Sequence, residues 1–190
     1  MSSKDNTAVH ITDKTAYWDE RFSCQVVKLL PGEYYVSSEN EIIATVLGSC
    51  IAVCLYERVL GLGGMNHFLL PYEQSLPINP NVNESSISQL AMQTKSPRYG
   101  NFAMMYLINE IIKRGGLACN LEAKIFGGGH VTQSSNDIGS KNIEFVKSYL
   151  ASERIEIVGE NIGGNCPRKL YFQPSTNMAF VKSQTIKYNL

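Results

Sequence analysis

The sequence has no excess of charge of either sign: 17 lysines and arginines balance 17 aspartates and glutamates. It also has no basic block, so it lacks the electrostatic footprint of a nucleic-acid or membrane-surface binder. Long apolar runs are missing too. The longest, residues 46–56, is interrupted by Gly48 and Ser49 and falls short of the roughly 20 residues a membrane span needs. Residues 2–14 are polar and contain no signal-peptide core, so a cytoplasmic protein without membrane insertion is expected. Cysteines number only five and are odd in count, which fits reduced thiols in a cytosol better than a disulfide scaffold. No C-x-x-C pair is present, and a zinc site built from Cys50, Cys54, His67 and His130 is disfavoured on ligand spacing.

What is present suits one domain of 190 residues, large enough to bury a core without cross-links. Residues 1–23 are polar without clear periodicity and read as a poorly ordered leader; residues 24–190 read as the domain. Residues 24–30 and 33–37 look like strands joined at the tight-turn dipeptide Pro31-Gly32. Residues 73–96, rich in proline, asparagine and serine, form a long surface excursion, either a lid over the neighbouring site or a tolerated insertion. Ser96 as N-cap and Pro97 at the first helical position open a helix that Gly115-Gly116 end. Its expected buried stripe is Phe102, Met105, Ile108, Ile111 and Ile112. A strand over residues 121–126 runs into Gly127-Gly128-Gly129. Asp137 or Ser140 caps a second helix with Ile143, Val146, Tyr149 and Leu150 on its apolar face. Residues 155–159, 168–173 and 178–182 close the chain as strands, with Gly163-Gly164-Asn165 as the turn between the first two. This order favours an α+β fold in which helices flank one side of a mostly antiparallel β layer.

The chemistry concentrates at Thr45-Val46-Leu47-Gly48-Ser49-Cys50 and the two apolar runs that follow, residues 51–56 and 62–70. Charge and glycine between the runs mark a hairpin. With its turn centred on Arg58-Val59, Cys50 faces His67 across the pair, with Cβ atoms roughly 4.5–5.5 Å apart. A thiol beside an imidazole is the arrangement nucleophilic cysteine chemistry requires. Gly48-Ser49 can supply backbone N–H groups to a developing oxyanion. The plainer alternative is a buried strand cysteine that only packs, and His130, next to the triple glycine, competes with His67 for the base role.

Thr45-Val46-Leu47-Gly48-Ser49-Cys50, and His67 followed by Phe68-Leu69-Leu70-Pro71, resemble the CheD family of chemoreceptor glutamine deamidases. So do Arg98-Tyr99-Gly100-Asn101, the run from Leu121 into Gly127-Gly128-Gly129, Asp137-Ile138-Gly139-Ser140-Lys141-Asn142 and Gly163-Gly164-Asn165, in the family's order. The resemblance covers about residues 24–182. It implies a layered β-sandwich flanked by helices, with a site arrangement shared with the cytotoxic necrotizing factor deamidase toxins. It implies hydrolysis of receptor glutamines through a thioester on Cys50, with His67 as acid and base and no metal or organic cofactor. It places Gly127, Gly128 and Gly129 beside the site, and adds a threonine upstream of the cysteine. The family position of that hydroxyl falls on Ala44, and Thr45 is the neighbouring residue that can fill the role. The implied partners are the cytoplasmic domains of methyl-accepting chemoreceptors and, in some species, the phosphatase CheC. Two alternatives stay open: a non-catalytic adaptor that binds receptors or CheC, and a different thiol hydrolase such as a small-molecule amidase.

Overall fold

Strands β5 (Ile51–Glu57) and β6 (Leu62–Phe68) are buried almost throughout, which a sheet achieves only when a layer covers each of its faces. The computed structural model, which describes residues 16–72, 96–130 and 137–183, supplies both layers. One sheet runs β3 (Glu33–Ser37), β6, β5, β7 (Leu121–Gly127), β8 (Glu156–Ile162). The other runs β1 (Ala16–Asp19), β2 (Cys24–Lys28), β4 (Glu41–Leu47), β9 (Arg168–Gln173), β10 (Met178–Ser183). Helices α1 (Gly100–Lys113) and α2 (Ile138–Ser152) pack on the β3–β8 sheet alone. The fold is the expected α+β sandwich, and among the described strands only β2·β4 and β7·β8 pair parallel.

Alternation along the strands of the β3–β8 sheet sorts its side chains between two cores. Val53, Leu55, Phe68 and Ile125 face the helices with Met104, Leu107 and Val146. Ala52, Cys54, Met65 and Phe126 face the opposite sheet, where Leu47, Ile43 and Phe172 meet them. At about 1.5–3 kcal/mol for each large apolar side chain removed from water, these layers supply most of the drive to fold.

Four expectations need correction. Residues 16–23, assigned to the leader by polarity, form β1 and the turn into β2, because Ala16 to Asp19 pair antiparallel with Val27 to Cys24; residues 1–15 lie outside the described residues. Pro31-Gly32 does not close a hairpin. It carries the chain from one sheet to the other, with Gly32 at φ +85° and its N–H donating to the His67 carbonyl at 2.7 Å. Helix α1 starts at Gly100 rather than Pro97, since the Arg98 carbonyl accepts from Leu69 N–H and Gly100 N–H donates to the Leu70 carbonyl. This bridge to the segment after His67 holds Tyr99 extended, after a turn that Tyr99 N–H closes onto the Ser96 carbonyl at 3.1 Å. The later start moves the buried stripe to Ala103, Met104, Leu107, Ile108 and Ile111, leaving Ile112 exposed. The fourth correction is the register of the central hairpin, described next. The excursion at 73–96 falls outside the described residues except for Ser96.

Candidate active site

The β5–β6 hairpin pairs Ala52 with His67 and Ile51 with Phe68, because the turn centres one residue later than expected. Cys50 is therefore not opposite His67 but two residues diagonal to it. A two-residue offset preserves the face, so both belong to the side that looks at the other sheet. There Cys50, partly buried, packs against the inter-sheet core to which Ala52 and Phe126 belong. Diagonal pairs of this kind are separated by about 7–8 Å between backbones, within reach of an imidazole.

His67 is 1% exposed. Its Nδ1 lies 2.8 Å from the Thr45 hydroxyl, and that same hydroxyl donates to the Leu29 carbonyl at 2.8 Å. A hydroxyl has one proton to give. With that proton committed to Leu29, Thr45 can only accept from the imidazole, so the neutral ring carries its hydrogen on Nδ1. Nε2 is left as a lone pair, buried and without a protein partner. Burial pulls the His67 pKa from 6.5 down to about 4. Burial also pushes the Cys50 thiol up, against a smaller opposing effect from its own backbone N–H. Both groups are thus neutral near pH 7, a thiol and an imidazole whose Nε2 lone pair has no protein partner. Ala44, the alternative hydroxyl position, is buried on the outer face of its sheet with Val26 and Ile42; the inward-facing residue is Thr45.

The loop that carries Cys50 is pinned by its carbonyls. Gly129 N–H donates to the Gly48 carbonyl at 2.8 Å, Asn142 Nδ2 to the Ser49 carbonyl at 3.0 Å, and Gly128 N–H to the Cys50 carbonyl at 2.8 Å. Three consecutive oxygens are turned into the protein, and no backbone carbonyl among the described residues receives the N–H of Ser49 or Cys50. Gly127, at φ +109°, lies so close that a Cβ there would collide with the Cys50 carbonyl oxygen. The triple glycine therefore serves close backbone approach. A further clamp is Arg168, 6% exposed, which donates to the Asn161 carbonyl at 2.7 Å and to the Gly163 carbonyl. It steadies the turn whose Gly163 N–H reaches the Gly127 carbonyl at 2.9 Å.

His130 takes a different place. It is half exposed, with Nδ1 3.1 Å from the carboxylate of Asp137, which caps α2 by accepting from Ser140 N–H. Among the described residues no cluster of three or more His, Cys, Asp or Glu is arranged to hold a metal ion. A cavity of about 500 Å³ is lined by Thr45, His67, Leu30, Val46, Lys28 and Lys169, among others.

Sequence reasoning missed Asn142, Arg168 and the Leu29 carbonyl. Asn142 left a signal: it sits three and four residues before Phe145 and Val146, a polar residue in phase with the buried face of α2. Arg168 and Leu29 act through backbone geometry that no residue pattern displays.

The family model for CheD chemotactic sensory transduction matches residues 82–183. The chain is 44% identical over 175 residues to the probable chemoreceptor glutamine deamidase CheD of Methylobacillus flagellatus, covering 91% of this chain and 81% of that one. The chain belongs to the CheD family. It is similarly related to the probable chemoreceptor glutamine deamidase CheD of Saccharophagus degradans, at 46% over 177 residues, 92% of this chain and 78% of that one. The probable chemoreceptor glutamine deamidase CheD 1 of Shewanella oneidensis is 45% identical over 174 residues, 90% of this chain and 79% of that one. The CheD family match begins downstream of Thr45, Cys50 and His67, but pairwise matches over nine-tenths of the chain leave too few residues over to omit them. No helix among the described residues is long and apolar enough to cross a membrane.

Proposed function

We propose that this chain is a cytoplasmic protein-glutamine deamidase that converts glutamines of methyl-accepting chemoreceptors to glutamate, with Cys50 as nucleophile and His67 as acid and base. The observation that carries the reading is His67 itself: a buried imidazole whose Nδ1 is committed to Thr45 and whose Nε2 has no protein partner, on the face that also bears Cys50. The relatives' names supply the substrate class.

In this mechanism the Cys50 proton passes to His67 Nε2 as the sulfur attacks the carboxamide carbon. Thr45 holds the ring and carries no net charge of its own. The oxyanion takes hydrogen bonds from the N–H groups of Ser49 and Cys50, kept free by the pinning of Gly48 through Cys50 against Gly128, Gly129 and Asn142. Collapse breaks the C–N bond, and the imidazolium returns its proton to the departing ammonia. Water then attacks the thioester while Nε2 takes one of its protons; glutamate leaves, and the proton returns to the thiolate. Each step balances with the enzyme's own groups and water. Leu30 and Val46, both exposed, with Lys28 and Lys169 at the cavity beside His67, suit an amphipathic helix that carries glutamine and glutamate. CheC is the second partner within this proposal.

Peptide mass spectrometry of a receptor cytoplasmic fragment from the same organism tests the reading. Wild type is expected to convert defined glutamines, and Cys50→Ala and His67→Ala to convert none. A fragment that stays bound but unconverted by wild type would move the function to an adaptor, and hydrolysis of free glutamine alone would make it a small-molecule amidase.

A further inference from the structure

We infer that Asn142 is a positioning residue of the reaction, which keeps the Cys50 amide aimed at the oxyanion. The inference rests on the reading of Cys50 as an acyl-transfer nucleophile. Asn142 is fully buried in α2, yet its carboxamide serves no bond within the helix. One amide hydrogen goes to the Ser49 carbonyl at 3.0 Å and the other to the Leu69 carbonyl at 2.9 Å. The first belongs to the residue before Cys50, the second to the residue two after His67. A single side chain thus ties both chain segments of the site to one helix, and it uses every donor it has.

The position of α2 makes that tie rigid. Gly139 lies so close to the Gly128 carbonyl that an added Cβ would come within 2.5 Å of the oxygen. The helix is thereby seated on the glycine segment that also takes the Gly48 and Cys50 carbonyls. Of the three pinned oxygens, only that of Ser49 is held by a side chain, so only there can substitution release the loop without a change of backbone. A peptide unit whose carbonyl is let go can rotate, and its partner N–H, that of Cys50, turns with it because the peptide is planar. The side-chain oxygen of Asn142 has no protein partner, so a residue chosen for packing alone would not need an amide here. The substitution Asn142→Asp would set a carboxylate against two carbonyl oxygens and donate to neither.

The inference separates two reactions of the same thiol. Acetyl transfer from p-nitrophenyl acetate forms a C–S bond through a tetrahedral oxyanion and expels p-nitrophenolate, while the thiol proton goes to His67. Alkylation by iodoacetamide displaces iodide and develops no oxyanion. In Asn142→Ala, acetylation of Cys50 is expected to slow on the order of 10²-fold, the cost of losing a preorganised oxyanion donor, with the alkylation rate unchanged. Asn142→Asp is expected to do the same or worse. Thermal melting confirms that each variant is folded, and Asn142→Ser, with one donor too short to span both carbonyls, replaces Asn142→Ala should that variant fail to fold. Equal losses in acetylation and alkylation, an unchanged acetylation rate, or a wild-type Cys50 inert to p-nitrophenyl acetate would each overturn the inference. A wild type that leaves receptor glutamines untouched while this split persists would sink the receptor reading and keep the role of Asn142.

Discussion

Asn66 and His67 are neighbours on β6, both fully buried, and they face opposite ways. Asn66 points toward the helices, where its oxygen accepts from Val53 N–H at 3.1 Å and its amide meets the Met104 sulfur at 3.3 Å. His67 points between the sheets, bonds Thr45 through one nitrogen and leaves the other without a protein partner. Burying an unsatisfied polar atom costs about 1–3 kcal/mol, and of these two neighbours His67 incurs that cost while Asn66 does not. Asn66 is satisfied within the architecture, whereas the His67 Nε2 lone pair is the one the proposed mechanism uses.

The largest effects should fall on the reactive face. Cys50→Ala removes the proposed nucleophile and should abolish glutamine turnover. His67→Ala should lower it by roughly 10²–10⁴, the usual worth of a positioned general base. A mass-spectrometric time course measures both, with Asn66→Leu alongside as the control from the other face.

The next effect is on stability. His67 titrates near 6.5 in the unfolded chain and at about 4 in the folded one. Between those values the unfolded chain binds more protons, so acidification from pH 6.5 to pH 4 should remove about 3 kcal/mol of stability, all of it present again above pH 6.5. Urea melts across that window should show the loss in wild type and a smaller one in His67→Asn.

Thr45→Val should reduce turnover on the order of 10- to 100-fold, as loss of an orienting partner does. It removes the acceptor that fixes the hydrogen on Nδ1, whereas Thr45→Ser should restore most of the rate. A Thr45→Val enzyme as fast as wild type would break the contrast between the two faces. The smallest catalytic effect is expected at Asn66→Leu: lower melting temperature, with kcat per folded molecule unchanged.

Much of this was legible from residues alone. The apolar runs on either side of residues 57–61 announced the hairpin, and the period-two alternation kept Cys50 and His67 on one face even though the turn centre was off by one position. The error was harmless because slips of two residues conserve faces. What stayed hidden depends on contacts distant in sequence. Tyr99 is held extended by its bridge to Leu70, which delays the start of α1 despite good capping residues at Ser96 and Pro97. Residues 16–19 show no alternating pattern because β1 is an edge strand with one buried position, its Tyr17 and Trp18 exposed. The Leu29 carbonyl that decides the tautomer of His67 is invisible to any motif, since a backbone oxygen has no residue type.

The most direct test of the account is nitrogen-15 NMR of the His67 ring in the resting enzyme at pH 7. The account predicts a neutral imidazole, hydrogen on Nδ1 and Nε2 unprotonated, that titrates only near pH 4. An imidazolium at pH 7, lost when Cys50 is replaced by Ala, would reveal a preformed thiolate–imidazolium pair and contradict it.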